Sequence, residues 1–208
     1  MYFNKKTAEQ LTLVARFKSI EGKAAQLQKE LEALISPTRA EDGCVSYHLY
    51  RDRDDHNGFI FHEIWQSESI WLKHMQSAHL KGALANIAPI LSEEPKIGKF
   101  ERSDAPNPVS KKGMLVLFAY NYAKEGVEAP WQKILEDLIA PTLAEKGAMH
   151  YELHLNREDK RSFMFHETWQ TVESWNDHMS AKHLVDFLKI MGDYAIGKID
   201  VVKAKILE

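Results

Sequence analysis

The chain contains a single cysteine, Cys44, so it can form no internal disulfide, and a reducing compartment such as the cytoplasm is expected. Only 10 glycines and 7 prolines occur in 208 residues, which excludes collagen-like and low-complexity organisation. No segment approaches the roughly 18 uninterrupted apolar residues of a membrane helix. The opening residues, Met1 to Lys6, lack the apolar run of a secretory leader. Charge of one sign is not in excess either. Lys and Arg number 27 against 30 Asp and Glu, a net −3, so neither nucleic acid nor an anionic membrane is expected as partner. A glycine-rich phosphate loop and a G-x-S-x-G elbow are also missing. What remains is ordinary for a globular protein, with 44% hydrophobic and 27% charged residues.

Internal repetition is the strongest positive feature. The length is twice 104, and a shift of 104 lays residues 37–80 on 141–184 with 20 identities in 44 positions and no gap. The densest match is Phe61-His62-Glu63-x-Trp65-Gln66 with Phe165-His166-Glu167-x-Trp169-Gln170. Trp71/Trp175, His74/His178, Met75/Met179 and His79/His183 follow. Two copies are too few for a solenoid. The repeat reads instead as a duplicated domain, each half equivalent to one subunit of a two-fold dimer. Residues 1–102 and 113–208 form the two domains, and 103–112, with two prolines and little to bury, form the linker. A further homodimer stays open.

Each half reads as βαββαβ, the ferredoxin-like order of an α+β fold. Strands are predicted at 11–17, 44–52, 58–66 and 96–101, and again from Met114–Tyr122 to 196–206. The first helices span 21–35 and 127–139 and are expected to end at Pro37 and Pro141. Ser67 and Thr171 stand as N-caps of a second helix, which Ser77 is expected to break. The two antiparallel sheets would pack face to face with helices outside.

The repeat also sorts the candidate chemistry. Six of the ten histidines fall into three pairs, whereas His48, His56, His150 and His154 have no histidine counterpart and read as surface or incidental. Strand periodicity sets Phe59, Phe61, Glu63 and Trp65 on one face and His62 on the other. Glu63, like Glu167, is either a structural carboxylate paired with Tyr47 or an arginine, or a pocket acid or base. Trp71, His74, Met75 and Ala78 share a helical stripe facing the sheet. His74 and His178 are thus core histidines or general bases in a dry cleft. His79 lies about 140° from His74 on a continuous helix and would converge with it only across a break. No metal site is expected of His74, His79 and Glu63, because none stands at helical i, i+4 spacing. Cys44 aligns with Ala148, so a thiol nucleophile would belong to one half only.

Gly43-x3-Tyr47-x-Leu49, Phe61-His-Glu-x-Trp65-Gln and Trp71-x2-His74-x4-His79, each repeated, resemble the antibiotic biosynthesis monooxygenase family of dimeric α+β barrels. The resemblance covers about 10–101 and 114–206. It implies an intramolecular pseudo-dimer of two ferredoxin-like domains, with a pocket between sheet and helices in each half. The lining it implies is Phe61, Glu63, Trp65, Trp71, His74 and His79, matched by Phe165, Glu167, Trp169, Trp175, His178 and His183. His62 and His166 join only if their strand faces turn that way. It further implies a cofactor-independent monooxygenase of a small phenolic, quinol-like or polyketide-type aromatic, with molecular oxygen as co-substrate. His74 and His178 would act as bases assisted by Glu63 and Glu167. A cofactor-free isomerase or lyase and a non-catalytic small-ligand-binding domain stand as alternatives. Haem is not expected, because the haem-degrading members carry tryptophan where His74 stands and an axial histidine where Leu84 and Leu188 stand. Phe17/Asn121, Tyr50/His154 and Leu72/Asn176 differ between halves near the expected pockets.

Overall fold

The computed structural model describes residues 2–3 and 5–207. A short helix, α1 (Lys5–Glu9), precedes the first repeat. That repeat runs β1 (Leu11–Lys18), α2 (Ala24–Ala33), α3 (Ile35–Arg39), β2 (Cys44–Asp52), β3 (Gly58–Trp65), α4 (Glu68–His74), α5 (Ala78–Ile87) and β4 (Lys96–Arg102). The second follows as β5 (Leu115–Tyr122), α6 (Glu128–Leu143), β6 (Ala148–Asn156), β7 (Ser162–Trp169), α7 (Val172–Met179), α8 (Lys182–Tyr194) and β8 (Asp200–Ile206).

The eight strands close into one antiparallel barrel, in the order β1-β3-β2-β8-β5-β7-β6-β4. Each half supplies four neighbouring strands, and two short seams join them. At one, Tyr50, Arg51 and Asp52 pair with Ile206, Lys205 and Ala204. At the other, Phe100, Glu101 and Arg102 pair with Asn156, Leu155 and His154. Closure leaves no exposed sheet edge. It also buries both strand faces, which is why β3 and β7 are buried at every position after their first.

Three cores follow from that geometry. Outer faces pack under the helices, with Leu11, Leu13, Phe59, Phe61 and Trp65 against Leu27 and Leu31 of α2 in the first half. In the second half Leu115, Leu117, Phe163, Phe165 and Trp169 pack against Trp131, Leu135 and Phe187 of α6 and α8. The third core fills the barrel with Val14, Tyr50, Ile60, Phe100, Val116, Phe118 and Met164.

Two expectations need correction. Pro37 and Pro141 do not end helices. Pro37 stands in the first turn of α3, and α6 runs two residues past Pro141. A first-turn proline loses only an amide that would have had no helical acceptor. Near the end of α6 it costs a single hydrogen bond, and the buried Thr142 anchors the turn that follows. The linker is also less empty than its composition implies. Ser103 and Pro108 are buried, and the linker carbonyls of Ala105 and Pro106 accept from Arg102 Nη2 at 2.8 and 3.1 Å. Ser103 and Pro108 are thus tucked in, while Asp104, Pro106, Asn107, Val109, Lys111 and Lys112 stay exposed.

The other local expectations match. Ser67 Oγ caps α4 through the amide of Ile70, Thr171 Oγ1 caps α7 through Ser174, and Ser77 Oγ caps α5 through Leu80. Gly43 and Gly147 enter β2 and β6 at φ of 83° and 86°, with their carbonyls accepting from Gln66 and Gln170. A Cβ at Gly147 would overlap the Ser174 side chain as well as straining the left-handed backbone. Gly147→Ala should therefore destabilise the fold by roughly 1–3 kcal/mol in urea denaturation. Ala at the open, positive-φ Gly126 should cost less, since nothing lies near its Cβ.

Candidate functional site

Two cavities lie between the outer barrel wall and the helices, one in each half. The first, about 390 Å³, is lined by Ala15, Phe17, Tyr47, Phe61, Glu63, Trp71, His74 and Leu80, among others. The second, about 290 Å³, has the equivalent Ala119, Asn121, Tyr151, Phe165, Glu167, Trp175, His178 and Leu184. Both are almost wholly apolar, so the few polar groups in them dominate any recognition.

His74 closes the last turn of α4 and is 2% exposed. Its Nδ1 lies 2.6 Å from Glu41 Oε1, and its ring packs on Trp65 at 4.7 Å between centroids. Burial pulls its pKa below the ordinary imidazole value, against the opposing pull of Glu41. The imidazole is thus neutral at neutral pH. With Nδ1–H donated to the carboxylate, Nε2 keeps a lone pair, and no hydrogen bond reaches it from the described residues. His178 repeats the arrangement, with Glu145 Oε1 at 2.7 Å and Trp169 at 4.7 Å.

The helix does break after His74, and the break brings His79 back. Its Nε2 lies 2.9 Å from the same Glu41 oxygen, and His183 lies 3.2 Å from Glu145. In the second half Ala181 begins α8 without a side-chain cap, so the break does not depend on serine. Ala78 accordingly leaves the expected stripe and is exposed.

Glu63 finds neither Tyr47 nor an arginine. Its Oε2 accepts from Trp65 Nε1 at 2.9 Å, as Glu167 does from Trp169. Burial pushes each carboxyl up to about 7, the indole bond opposing the shift.

Of the anticipated residues, the structure brings Phe61, Glu63, Trp71 and His74 into one cavity and Phe165, Glu167, Trp175 and His178 into the other. Trp65 and Trp169 stand behind them, orienting carboxylate and imidazole. His79 and His183 meet the far carboxylates and line neither cavity. His62 and His166 do not satisfy the condition set for them, because they face the barrel interior. Leu72, at 54% exposure, points away from the pocket. Two of the four unpaired histidines are not superficial either, since His150 and His154 are 4% and 0% exposed inside the barrel. Cys44 is half-buried, and its thiol is raised to about 11, a poor nucleophile.

Sequence reasoning missed Glu41 and Glu145 as partners of the site histidines, although both are identities within the repeat. Thr38 and Thr142, also identities, lie 3.4 and 3.2 Å from His79 and His183. The halves differ in correlated ways. Where the first has Phe17 and Leu27, the second has Asn121 and Trp131, and Trp131 Nε1 donates to Asn121 at 2.8 Å. The cavity rims differ in charge, with Glu94 in the first replaced by Lys198 in the second.

The model of the antibiotic biosynthesis monooxygenase family matches residues 10–86 and again 114–189. The chain belongs to that family, in tandem duplicate. "Putative monooxygenase Rv0793" of Mycobacterium tuberculosis is 34% identical over 82 residues, which are 39% of this chain and 80% of that protein. "Putative monooxygenase YcnE" of Bacillus subtilis is 28% identical over 94 residues, 45% of this chain and 99% of its own length. Relatives of that size correspond to one repeat. An uncharacterised Synechocystis protein, 29% identical over 66 residues, is covered over only 45% of its length and 32% of this chain. Among solved structures, a Fusobacterium nucleatum protein named as a putative monooxygenase superposes with a TM-score of 0.85 at 16% identity, over 100% of this chain and 94% of that one. An anthrone oxidase-like protein gives 0.75 at 12%, over 96% and 92%. At such identity these two share the fold alone. Family and named relatives support a monooxygenase-like function. Among the described residues no helix is long and apolar enough to cross a membrane.

A carboxyl whose pKa is higher folded than unfolded favours the folded state below its unfolded value and loses that advantage as pH rises to the folded one. For Glu63 and Glu167 the window is pH 4.5 to about 7. Glu63→Gln together with Glu167→Gln should flatten the stability loss across it. The gain relative to wild type at pH 7.5 should be on the order of 3 kcal/mol per site at most, measured by urea unfolding at several pH values. An unchanged pH dependence would show that these carboxyls titrate normally.

Proposed function

We propose that the chain is a cofactor-independent monooxygenase of a small, electron-rich phenol, with His74 and His178 as bases in two related pockets. The observation that carries this is the imidazole fixed through Nδ1 by a carboxylate, with Nε2 unpartnered at the wall of an otherwise apolar cavity. Such a group takes a proton only from a ligand placed in the cavity.

In the scheme, His74 Nε2 removes the phenolic proton, and Glu41 stabilises the imidazolium through Nδ1. The phenolate donates one electron to dioxygen. The resulting radical pair combines at the ring carbon para to the oxygen, and the imidazolium returns its proton to the peroxide. Loss of that carbon's hydrogen with cleavage of the O–O bond leaves a quinone and one water. One phenol and one dioxygen thus yield one quinone and one water, with all electrons supplied by the substrate. Phe61 and Trp71 offer apolar walls, and exclusion of water protects the radical pair. Glu63 and the buried Tyr47 hydroxyl, both lining the cavity, would orient the ring. The second half would use His178, Glu145, Phe165, Trp175, Glu167 and Tyr151 alike. The isomerase or lyase reading needs the same base without oxygen, so turnover under anaerobic conditions would overturn the oxygenase assignment.

His74→Ala with His178→Ala should abolish oxygen uptake on an active phenol, read with an oxygen electrode, while circular dichroism stays native. Unchanged uptake would remove the histidines from the mechanism. Glu41→Gln with Glu145→Gln removes the charge that raises the imidazole pKa, so the acid limb of kcat/KM should move to lower pH while the maximal rate falls. The rim charges should sort substrates between the pockets. Lys198→Glu should weaken turnover of a carboxylated phenol by the second half, read in a His74→Ala background, by roughly tenfold and spare a neutral analogue.

A further inference from the structure

The interior of the barrel holds a polar cluster that the pockets do not use. His62 of β3, His166 of β7 and the alternate residues His150, Glu152 and His154 of β6 project inward, each at most 4% exposed. His62 and His166 stack at 4.3 Å, and His154 meets His62 edge-on at 5.4 Å. Several buried groups here lack hydrogen-bond partners among the described residues: Nδ1 of His62, both ring nitrogens of His166, and the hydroxyls of Thr12 and Ser46, on the inward faces of β1 and β2. Buried polar atoms are almost always paired, so such a concentration asks for a ligand.

The orientation of the paired groups points the same way. Arg102 Nε holds Glu152 Oε1 at 2.5 Å and leaves Oε2 facing the imidazoles. His154 Nδ1 lies 3.2 Å from the Glu152 carbonyl, to which it can only donate. Its Nε2 therefore carries the lone pair, 3.5 Å from Glu152 Oε2 and 3.4 Å from His62 Nε2. Tetrahedral ligation at 2.0–2.1 Å separates ligand atoms by about 3.3–3.4 Å, close to both spacings. His150 Nε2 also lies 3.2 Å from the same Oε2, and a His166 nitrogen falls within 4.8 Å of both. The Arg102 guanidinium opposes a cation here, and four imidazoles and a carboxylate favour one.

We propose that the barrel interior is a transition-metal site, taking one ion of the zinc class on His62, Glu152 and His154, with His150 and His166 within reach. The ion would join β3 of the first repeat to β6 of the second and so brace the barrel across its two halves. It is distinct from the pockets and independent of the reaction proposed for them. The ligand set is asymmetric, since the first repeat has Ser46, His48 and Tyr50 where the second has His150, Glu152 and His154.

Cobalt(II) is the probe. The full chain, stripped by chelator in denaturant and refolded with Co²⁺, should bind about one ion and show the intense visible absorption of tetrahedral nitrogen–oxygen ligation. Zn²⁺ should displace the cobalt and raise the thermal midpoint. His154→Tyr copies the residue at the equivalent barrel position, Tyr50, and should stay folded. It should weaken cobalt binding by more than the roughly 10–100-fold lost with a partner behind a ligand. Glu152→Gln, nearly isosteric, should do the same, with folding read separately by circular dichroism. No cobalt uptake by the wild type, or equal uptake by both folded variants, would overturn the site. A spectrum lost instead on His79→Ala with His183→Ala would place the ion at the Glu41 and Glu145 clusters and likewise overturn it.

Discussion

Closure of the barrel is the constraint from which the other features follow. Two four-stranded sheets, each with free edges and one apolar face, join through the pairings of Tyr50–Asp52 with Ala204–Ile206 and of Phe100–Arg102 with Asn156–His154. Unpaired edges would leave backbone amides and carbonyls without partners, and either sheet alone would expose its inner face. Once the seams form, every strand residue faces either the barrel interior or the layer beneath the helices. Glu63 and His62 are adjacent in sequence, yet closure sends one into a pocket and the other into the interior core.

The outer layer shows how a reactive group is kept available in an apolar setting. An isolated imidazole in the cleft would be free to rotate. Here Glu41, on the turn after α3, fixes His74 through Nδ1, and Trp65 packs against the ring. The break between α4 and α5 turns His79 back onto the same carboxylate oxygen. One carboxylate thus organises two histidines that a continuous helix would hold well apart. The same set recurs around Glu145, consistent with duplication of the whole constellation and not of the fold alone.

Divergence between the halves is local and compensated. Asn121 would leave a buried amide unpaired where Phe17 stands in the first half, and Trp131 supplies the donor that satisfies it. The aromatic ring has in effect moved from strand to helix, with an amide in its former place, and this reshapes one pocket. Glu94 and Lys198 differ without any such coupling, as suits rim positions. Inside the barrel, Glu152 is tolerated because Arg102 meets it from β4 of the other repeat.

Much of this was legible in the chain. The repeat at 104, the βαββαβ order, the capping roles of Ser67, Thr171 and Ser77, the shared strand face of Phe61 and Glu63 and the shared helical stripe of Trp71 and His74 all follow from local spacing and from identity between halves, whereas their meeting in a pocket was implied by the family resemblance. Positions that depend on contacts distant in sequence were not legible. Glu41 lies 33 residues from His74, and no periodicity links a loop carboxylate to a helix terminus. His150 and His154 lack histidine counterparts and alternate along a strand, a pattern that also describes a solvent-facing edge. Only ring closure makes that face interior. Local sequence therefore determined the elements, the duplication and which faces were chemically rich. The tertiary structure decided which of those faces became a pocket and which a sealed core, because inside and outside exist only once the two sheets have joined.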